Sequence, residues 1–188
     1  LKSEVYAFKL GQEFFYNYGP EGYKKIFNIS PRIFLDLKLH DIPNTVEKGI
    51  KAIKKLKPLL TTIHISGGDN MQKAAIKDNK KLTKILGVTI LTSLDKNQTL
   101  KYYNNKNIEK IVKKFAINAK KNNLDGIVCS PLEIKIVRNI VGNDMLIIVP
   151  GIRINKKQIN KRDDQKRIMT PKEAIKLGAD YLVIGRPI

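Results

Sequence analysis

The sequence predicts an α/β protein built on a parallel β-sheet. Short apolar runs of strand length alternate with longer segments whose apolar residues recur with a helical period, and this alternation is typical of consecutive βα units. No linker and no repeat beyond the alternation itself interrupts the 188 residues. We therefore expect a single domain over residues 1–188, and the 42% of hydrophobic residues is enough to give it a core.

Strands and helices are predicted from the spacing of apolar residues and from the Gly and Pro residues that end them. The predicted strands span 5–10, 33–38, 61–66, 85–91, 126–129, 145–149 and 181–184. The predicted helices span 12–18, 23–27, 46–56, 70–76, 108–121, 131–140 and 171–177. Thr45 is the expected N-cap of the third helix. Residues 170–173 (TPKE) have the pattern of a capping box with proline at the first helical position.

Seven parallel strands are an unusual number for a closed barrel. An eight-stranded (β/α)8 barrel that lacks its first strand and last helix would account for the count, and also for a chain that begins with Leu1 and stops soon after a strand. An open, doubly wound sheet is the alternative. Its commonest sequence signal, a Gly-rich dinucleotide fingerprint, is absent, since Gly67 and Gly68 form only a pair. The barrel is the preferred prediction.

The formal charge of +19 raises the question of a nucleic-acid partner. Only six of the 36 basic residues are arginine, the side chain best suited to planar phosphate recognition. The lysines are dispersed over predicted helices, and the chain has no Trp. We therefore expect solvated helix faces rather than a nucleic-acid surface. An RNA-binding protein without enzymatic activity remains an alternative.

The compartment is predicted from what the sequence lacks. No apolar run is long enough to cross a membrane, and no secretory leader precedes the first strand. The single cysteine, Cys129, lies within an apolar run and is expected to be a small core residue, which leaves neither a disulfide nor a zinc site. We expect a cytoplasmic protein that does not bind membranes.

The most informative stretch is 36–45 (DLKLHDIPNT), which lies at the end of a predicted buried strand. Side chains alternate between the two faces of a strand, so Asp36 and Lys38 should share a face, and Asp41 follows three residues later. Such charges are rarely buried unless they are paired. They are either a structural ion-pair cluster or a catalytic array.

Other candidate residues also lie near the carboxyl ends of predicted strands or in the loops that follow them. In a (β/α)8 barrel, catalytic groups lie at the carboxyl ends of strands, and the loops after the last two strands often bind phosphate. The candidates at these positions are Lys9, Thr92, Pro150, Arg153, Gln165, Gly185 and Arg186. Since they fall at one end of the predicted sheet, they favour a ligand that carries a phosphate group.

Residues 36–45 closely resemble the signature of the orotidine 5′-phosphate decarboxylase family. Further blocks resemble that family in the same order, and the likeness covers nearly the whole chain. These blocks are 88–93 (VTILTS), 125–130 (DGIVCS), 149–153 (VPGIR), 167–171 (RIMTP) and 183–187 (VIGRP). The resemblance implies a (β/α)8 barrel that converts orotidine 5′-phosphate to UMP with no metal or organic cofactor.

The resemblance also implies a role for each matching residue. Lys38 matches the lysine that protonates C6 of the substrate, and Asp36 matches the carboxylate that faces the substrate's own carboxylate. Lys9 matches a lysine that contacts the ribose and the charged array. Asp41 and Thr45 match residues that enter the partner's site, which implies a homodimer. Thr92 matches a pyrimidine contact, and the phosphate-site matches are Pro150, Arg153, Gln165, Gly185 and Arg186.

A related barrel with a different chemistry is the nearest rival. The metal-dependent 3-keto-L-gulonate 6-phosphate decarboxylases share the Asp-x-Lys-x-x-Asp motif, but they place a metal-binding glutamate where this chain has Lys9. A lysine at that position opposes a divalent cation. The aspartate that the decarboxylase family carries on its first strand has no counterpart here, and neither His40 nor His64 is given a role.

Overall fold

The computed structural model describes residues 3–77, 82–153 and 168–185. The chain divides into two compact units. Unit 1 comprises Leu1–Gly87 with Asn122–Leu124, and unit 2 comprises Val88–Lys121 with Asp125–Ile188. In the described part of the chain, no helix has both the length and the apolar character needed to cross a membrane.

Unit 1 alternates strands with helices in chain order. Its elements are β1 (Phe8–Gly11), α1 (Gln12–Ile29), β2 (Ile33–Leu39), α2 (Pro43–Lys55), β3 (Leu60–His64), a 3-10 turn (Ile65–Gly67), α3 (Asp69–Ile76) and β4 (Lys84–Val88), whose last residue belongs to unit 2. The order of these strands in the sheet is their order in the chain. The pairs β1–β2 and β2–β3 are parallel, as the alternation predicted.

Apolar side chains on both sides of β2 form the core of unit 1. Ile33 and Leu35 on β2 and Ile63 on β3 are completely buried, and the α2 stripe of Val46, Ile50 and Ile53 is buried as well. Removing an apolar side chain of this size from water is worth about 1.5–3 kcal/mol. This burial holds most of β2 in place. The backbone that carries the residues at its carboxyl end is therefore fixed in position.

Unit 2 continues the same alternation. Its elements are α4 (Lys96–Tyr103), α5 (Ile108–Lys121), β5 (Gly126–Val128), a 3-10 turn (Pro131–Glu133), α6 (Ile134–Val141), β6 (Leu146–Val149), α7 (Pro171–Lys176) and β7 (Tyr181–Leu182). The pairs β5–β6 and β6–β7 are parallel. Ile127, Ile147 and Ile148 are completely buried on β5 and β6.

Several predicted boundaries differ from the observed ones for identifiable reasons. Helix α2 begins at Pro43, with Ile42 as its N-cap, so the prediction that Thr45 caps this helix is wrong. Proline suits the first turn of a helix because that turn leaves its N–H groups unpaired anyway. Helix α1 is broken at Gly19, whose φ of +55° is a conformation that glycine tolerates, where the sequence predicted a turn between two helices. Helix α4 was predicted as a polar loop.

Candidate active site

Three charged side chains meet at the carboxyl ends of β1 and β2. Asp36 and Lys38 lie on β2, and Lys9 lies on the adjacent β1, where it pairs in register with Phe34. Asp36 Oδ2 lies 2.8 Å from Lys38 Nζ and 3.3 Å from Lys9 Nζ. The two ammonium groups therefore share one carboxylate oxygen. We call these three residues the charged array.

The carboxylate at the centre of the array is buried, whereas the two ammonium groups remain accessible. The side chain of Asp36 is 9% exposed, while those of Lys38 and Lys9 are 31% and 36% exposed. A buried carboxylate is costly unless it is paired and hydrogen-bonded, and Asp36 is both. A ligand could therefore contact the ammonium groups of Lys38 and Lys9 while Asp36 stays buried.

The position of Lys38 depends on an irregularity in β2. Leu35 of β2 pairs with Thr61 of β3, but the next pair is Leu39 with Ile63, so the register shifts between them. Lys38 within this shift has a φ of +52°, which costs a residue with a Cβ about 1–2 kcal/mol. The backbone of β2 is therefore irregular at Lys38, and the Lys38 ammonium still lies 2.8 Å from the Asp36 carboxylate.

Thr62 completes the surroundings of Asp36. Its hydroxyl donates a hydrogen bond to Asp36 Oδ1 (2.9 Å) and accepts one from the main-chain N–H of Lys38 (2.9 Å). On the other side of the same peptide bond, Gln12 Nε2 donates to the carbonyl of Leu37 (3.0 Å). Sequence reasoning missed both residues. For Thr62 the available signal was a hydroxyl residue within a predicted strand, and for Gln12 the sequence offered no signal.

The electrostatic environment keeps Asp36 ionised. Burial alone would raise the pKa of Asp36, but the Lys38 ammonium, through its charge and its hydrogen bond, outweighs this cost. Lys9 and the Thr62 hydroxyl act in the same direction, so the pKa of Asp36 lies below its ordinary value. The array is thus a fixed negative charge between two positive ones at neutral pH.

Two histidines border the array. The rings of His40 and His64 lie 5.2 Å apart between centroids, and His40 is exposed while His64 is half-buried. Burial, followed by the charges of His40 and Lys38, lowers the pKa of His64 to about 4, although Asp36 opposes the shift. His64 is therefore neutral at pH 7. In the described part of the chain, no three His, Cys, Asp or Glu residues cluster in a way that could hold a metal ion.

Asp41 and Thr45 lie apart from the array. Both are exposed on the segment that leads into α2, and Ile42 between them is 65% exposed. Asp41 Oδ1 accepts a hydrogen bond from the N–H of Ile42 at 2.6 Å, and Asp41 forms no ion pair with any described residue. Of the four charged residues proposed as catalytic from the sequence, the structure brings Asp36, Lys38 and Lys9 into contact.

The remaining candidates that the structure describes belong to unit 2. Thr92 is half-buried in the segment after β4, Pro150 directly follows β6, and Gly185 is exposed after β7. Arg153 is buried, and its Nη1 donates to the carbonyl of Ile152 at 2.8 Å. Main-chain bonds to Met169 hold this segment in place. Gln165 and Arg186 lie outside the described residues.

Comparison with known proteins defines the class of fold. A solved structure of orotidine 5′-phosphate decarboxylase from Lactobacillus acidophilus matches with a TM-score of 0.80 at 39% identity, over 96% of this chain and 78% of that one. Together with the parallel strands and alternating helices, this likeness confirms the predicted class, a (β/α)8 barrel protein of α/β type.

The sequence matches the profile of the Orotidine 5′-phosphate decarboxylase / HUMPS family over residues 1–188, and the chain belongs to this family. An orotidine 5′-phosphate decarboxylase from Wolbachia pipientis subsp. Culex pipiens (strain wPip) is 47% identical over 190 residues, which cover all of this chain and 82% of the relative. The protein of that name from Staphylococcus saprophyticus is 45% identical over 184 residues, covering 96% of this chain and 79% of the relative. The resemblance inferred from the sequence motifs is thereby confirmed.

Proposed function

We propose that this chain is a carboxy-lyase that converts orotidine 5′-phosphate to UMP, the last step of de novo pyrimidine nucleotide synthesis. The observation that carries the proposal is the charged array, with Lys38 and Lys9 within 2.8 and 3.3 Å of one oxygen of Asp36, in a chain whose relatives are named for this reaction. Because UMP feeds cytoplasmic nucleotide metabolism, the proposal includes a cytoplasmic location.

The chemistry requires a positive charge beside the reacting carbon. Loss of CO₂ from C6 of the orotate ring leaves an electron pair in the ring plane, where the π system cannot delocalise it. A cation that is already in place when the charge develops lowers the barrier without having to reorganise. The ammonium of Lys38 has this role and then donates a proton to C6. No organic cofactor or metal takes part in the proposed mechanism.

Asp36 places a second negative charge near the substrate's carboxylate. The low pKa of Asp36 keeps this charge in place at neutral pH. Binding energy gathered far from the reacting bond can offset the repulsion. Arg153, Gln165, Gly185 and Arg186, with Pro150, form the proposed phosphate site that supplies this energy, while Lys9 contacts the ribose and Thr92 the pyrimidine.

The active form in this proposal is a homodimer. Asp41 and Thr45 reach the site of the partner subunit, which accounts for two polar residues that are exposed and separate from the array of their own chain. Mixing inactive Lys38→Ala and Asp41→Ala subunits tests the arrangement. Restored activity is expected, and a mixture as inactive as its parts would contradict shared sites.

The central test follows the absorbance of orotidine 5′-phosphate as it is consumed. Lys38→Ala removes both the stabilising charge and the proton donor, so we expect kcat to fall by at least about 10⁴-fold. Lys51→Ala is the matched control, because Lys51 pairs with Glu47 on the exposed face of α2, and its kcat should stay within about twofold. An unchanged kcat for Lys38→Ala would refute the assignment.

A chelator separates this proposal from the metal-dependent sugar-phosphate decarboxylation of related barrels. With Lys9 beside Asp36, a divalent cation would have to displace an ammonium group 3.3 Å from the carboxylate. Activity on orotidine 5′-phosphate should therefore persist in EDTA. Activity lost in EDTA and restored by magnesium would contradict the cofactor-free mechanism.

A further inference from the structure

The peptide bond between Leu37 and Lys38 is bonded on both sides by side chains. Where the register of β2 shifts, three residues of β2 (36–38) lie opposite the single residue Thr62 of β3. The Lys38 N–H donates to the Thr62 hydroxyl and the Leu37 carbonyl accepts from Gln12 Nε2, at 2.9 and 3.0 Å. Buried main-chain groups that leave a sheet ladder need such replacement partners.

We propose that Thr62 and Gln12 are positioning residues that clamp this peptide and so hold Lys38 in its left-handed conformation, with its ammonium against Asp36. The inference rests on the proposed function, since it assigns these residues to the placement of the proton donor. Without the clamp, the strained backbone of Lys38 can relax toward an ordinary strand conformation. Relaxation changes the position of the Lys38 ammonium relative to the Asp36 carboxylate.

The direction of the Thr62 hydroxyl proton is fixed by its two partners. The main-chain N–H of Lys38 can only donate, and the ionised carboxylate of Asp36 can only accept, so the hydroxyl must point its proton at Asp36 Oδ1. Oδ2 is then left for the ammonium groups of Lys38 and Lys9. One fully buried hydroxyl thus fixes the backbone of the proton donor and the orientation of the carboxylate together.

Among the residues that the structure describes, four groups face the Asp36 carboxylate. Lys9 faces it from β1, Lys38 from its own strand, and Thr62 and His64 from β3. Thr62 contacts both Asp36 and the main chain of Lys38, and its side chain carries no charge. The positioning role can therefore be tested at Thr62 without changing any charge in the array.

The first test compares turnover of four variants of the intact protein. Thr62→Val keeps the shape but removes both bonds, and we expect kcat to fall about 10-fold or more with KM little changed, because one lost bond goes to a charged group. Thr62→Ser should restore kcat, and Gln12→Met should lower it about threefold. Thr61→Val is the control, since Thr61 is equally buried on β3 but donates only to the Leu35 carbonyl.

The second test measures the pKa of Asp36 by carbon NMR of its carboxyl group, which does not depend on turnover. Thr62→Val removes a donor to the ionised form, so the pKa of Asp36 should rise, and the acid limb of the kcat/KM profile should move to higher pH. Thr61→Val should change neither. An unchanged Asp36 pKa in Thr62→Val, or an equal loss of kcat in Thr61→Val, would overturn the proposal. If wild-type protein does not consume orotidine 5′-phosphate, the proposed function fails, whereas the NMR measurement still decides whether Thr62 orients the array.

Discussion

The half-buried imidazole of His64 makes a specific prediction about stability and pH. Burial together with the nearby charges of His40 and Lys38 lowers the pKa of His64 to about 4, from an ordinary value of 6.5. Between these two values the unfolded chain binds a proton that the folded chain does not. The contribution of neutral His64 to the stability of the folded state is therefore fully present above pH 6.5, and it is lost as the pH falls toward 4.

The size of the effect follows from the two pKa values. A shift from 6.5 to about 4 corresponds to an upper limit of about 2 kcal/mol lost between pH 7 and pH 5. His64 is partly exposed, so solvent screening reduces the expected loss to about 1 kcal/mol. Asp36 contributes little in this window, because its pKa lies below its ordinary value of 3.8.

Urea unfolding at pH 7 and pH 5, followed by helical circular dichroism at constant ionic strength, measures this loss. The glutamine in His64→Gln cannot titrate. Between pH 7 and pH 5, the free energy of unfolding of this variant should therefore fall by about 1 kcal/mol less than that of the wild-type protein. The chain has only two histidines, which makes His40→Gln the natural control. His40→Gln should retain most of the wild-type pH dependence. An equal pH dependence in wild-type protein and His64→Gln would refute the reasoning.

Two further predictions concern stability away from the array and need only urea unfolding. Arg138→Leu removes a guanidinium that pairs with Asp180 and donates to three main-chain carbonyls, among them that of Gly178, so the free energy of unfolding should fall by about 3 kcal/mol. Arg32→Leu is the control: the Arg32 guanidinium lies over the exposed Tyr6 ring, so its loss should cost no more than about 1 kcal/mol, and equal effects of the two substitutions would contradict the argument. Gly87→Ala places a Cβ 2.6 Å from Cγ1 of the buried Ile65, which should cost about 1–3 kcal/mol, and a neutral result would show that the core can adjust.

The fold was largely predictable because it depends on local periodicity. Helix α5 begins and ends at the predicted residues 108 and 121, since its apolar stripe repeats with a clear helical period. The capping box at Thr170 and Glu173 is present as predicted. Helix α4 was missed because only Thr99 is buried on it. Its start is set by the Asp95 side chain, which accepts from two main-chain N–H groups.

The sequence predicted which charged residues form the candidate site, but it did not predict the hydrogen bonds and backbone conformation that position them. The spacing of Asp36 and Lys38 and the position of Lys9 at a strand end were enough to place the three together, and the structure brings them into contact. The roles of Thr62 and Gln12 depend on a register shift between strands that are about 25 residues apart in sequence. Such a shift arises from packing between strands, so no local pattern reports it.

The proposed mechanism gives this geometry a specific purpose. In orotidine 5′-phosphate the reacting group carries one negative charge on its carboxylate, and after CO₂ leaves the same charge remains on C6. The net charge facing the array is therefore equal in the ground state and in the carbanion, so an excess of positive charge alone would stabilise both and would not raise kcat. What differs between them is where the charge lies. An array can accelerate the reaction only if Lys38 is held nearer to C6 and Asp36 nearer to the departing carboxylate. This requirement explains why the protein keeps a strained backbone at Lys38 and a buried carboxylate at Asp36 although both lower its stability. Both features fix the positions of the two charges.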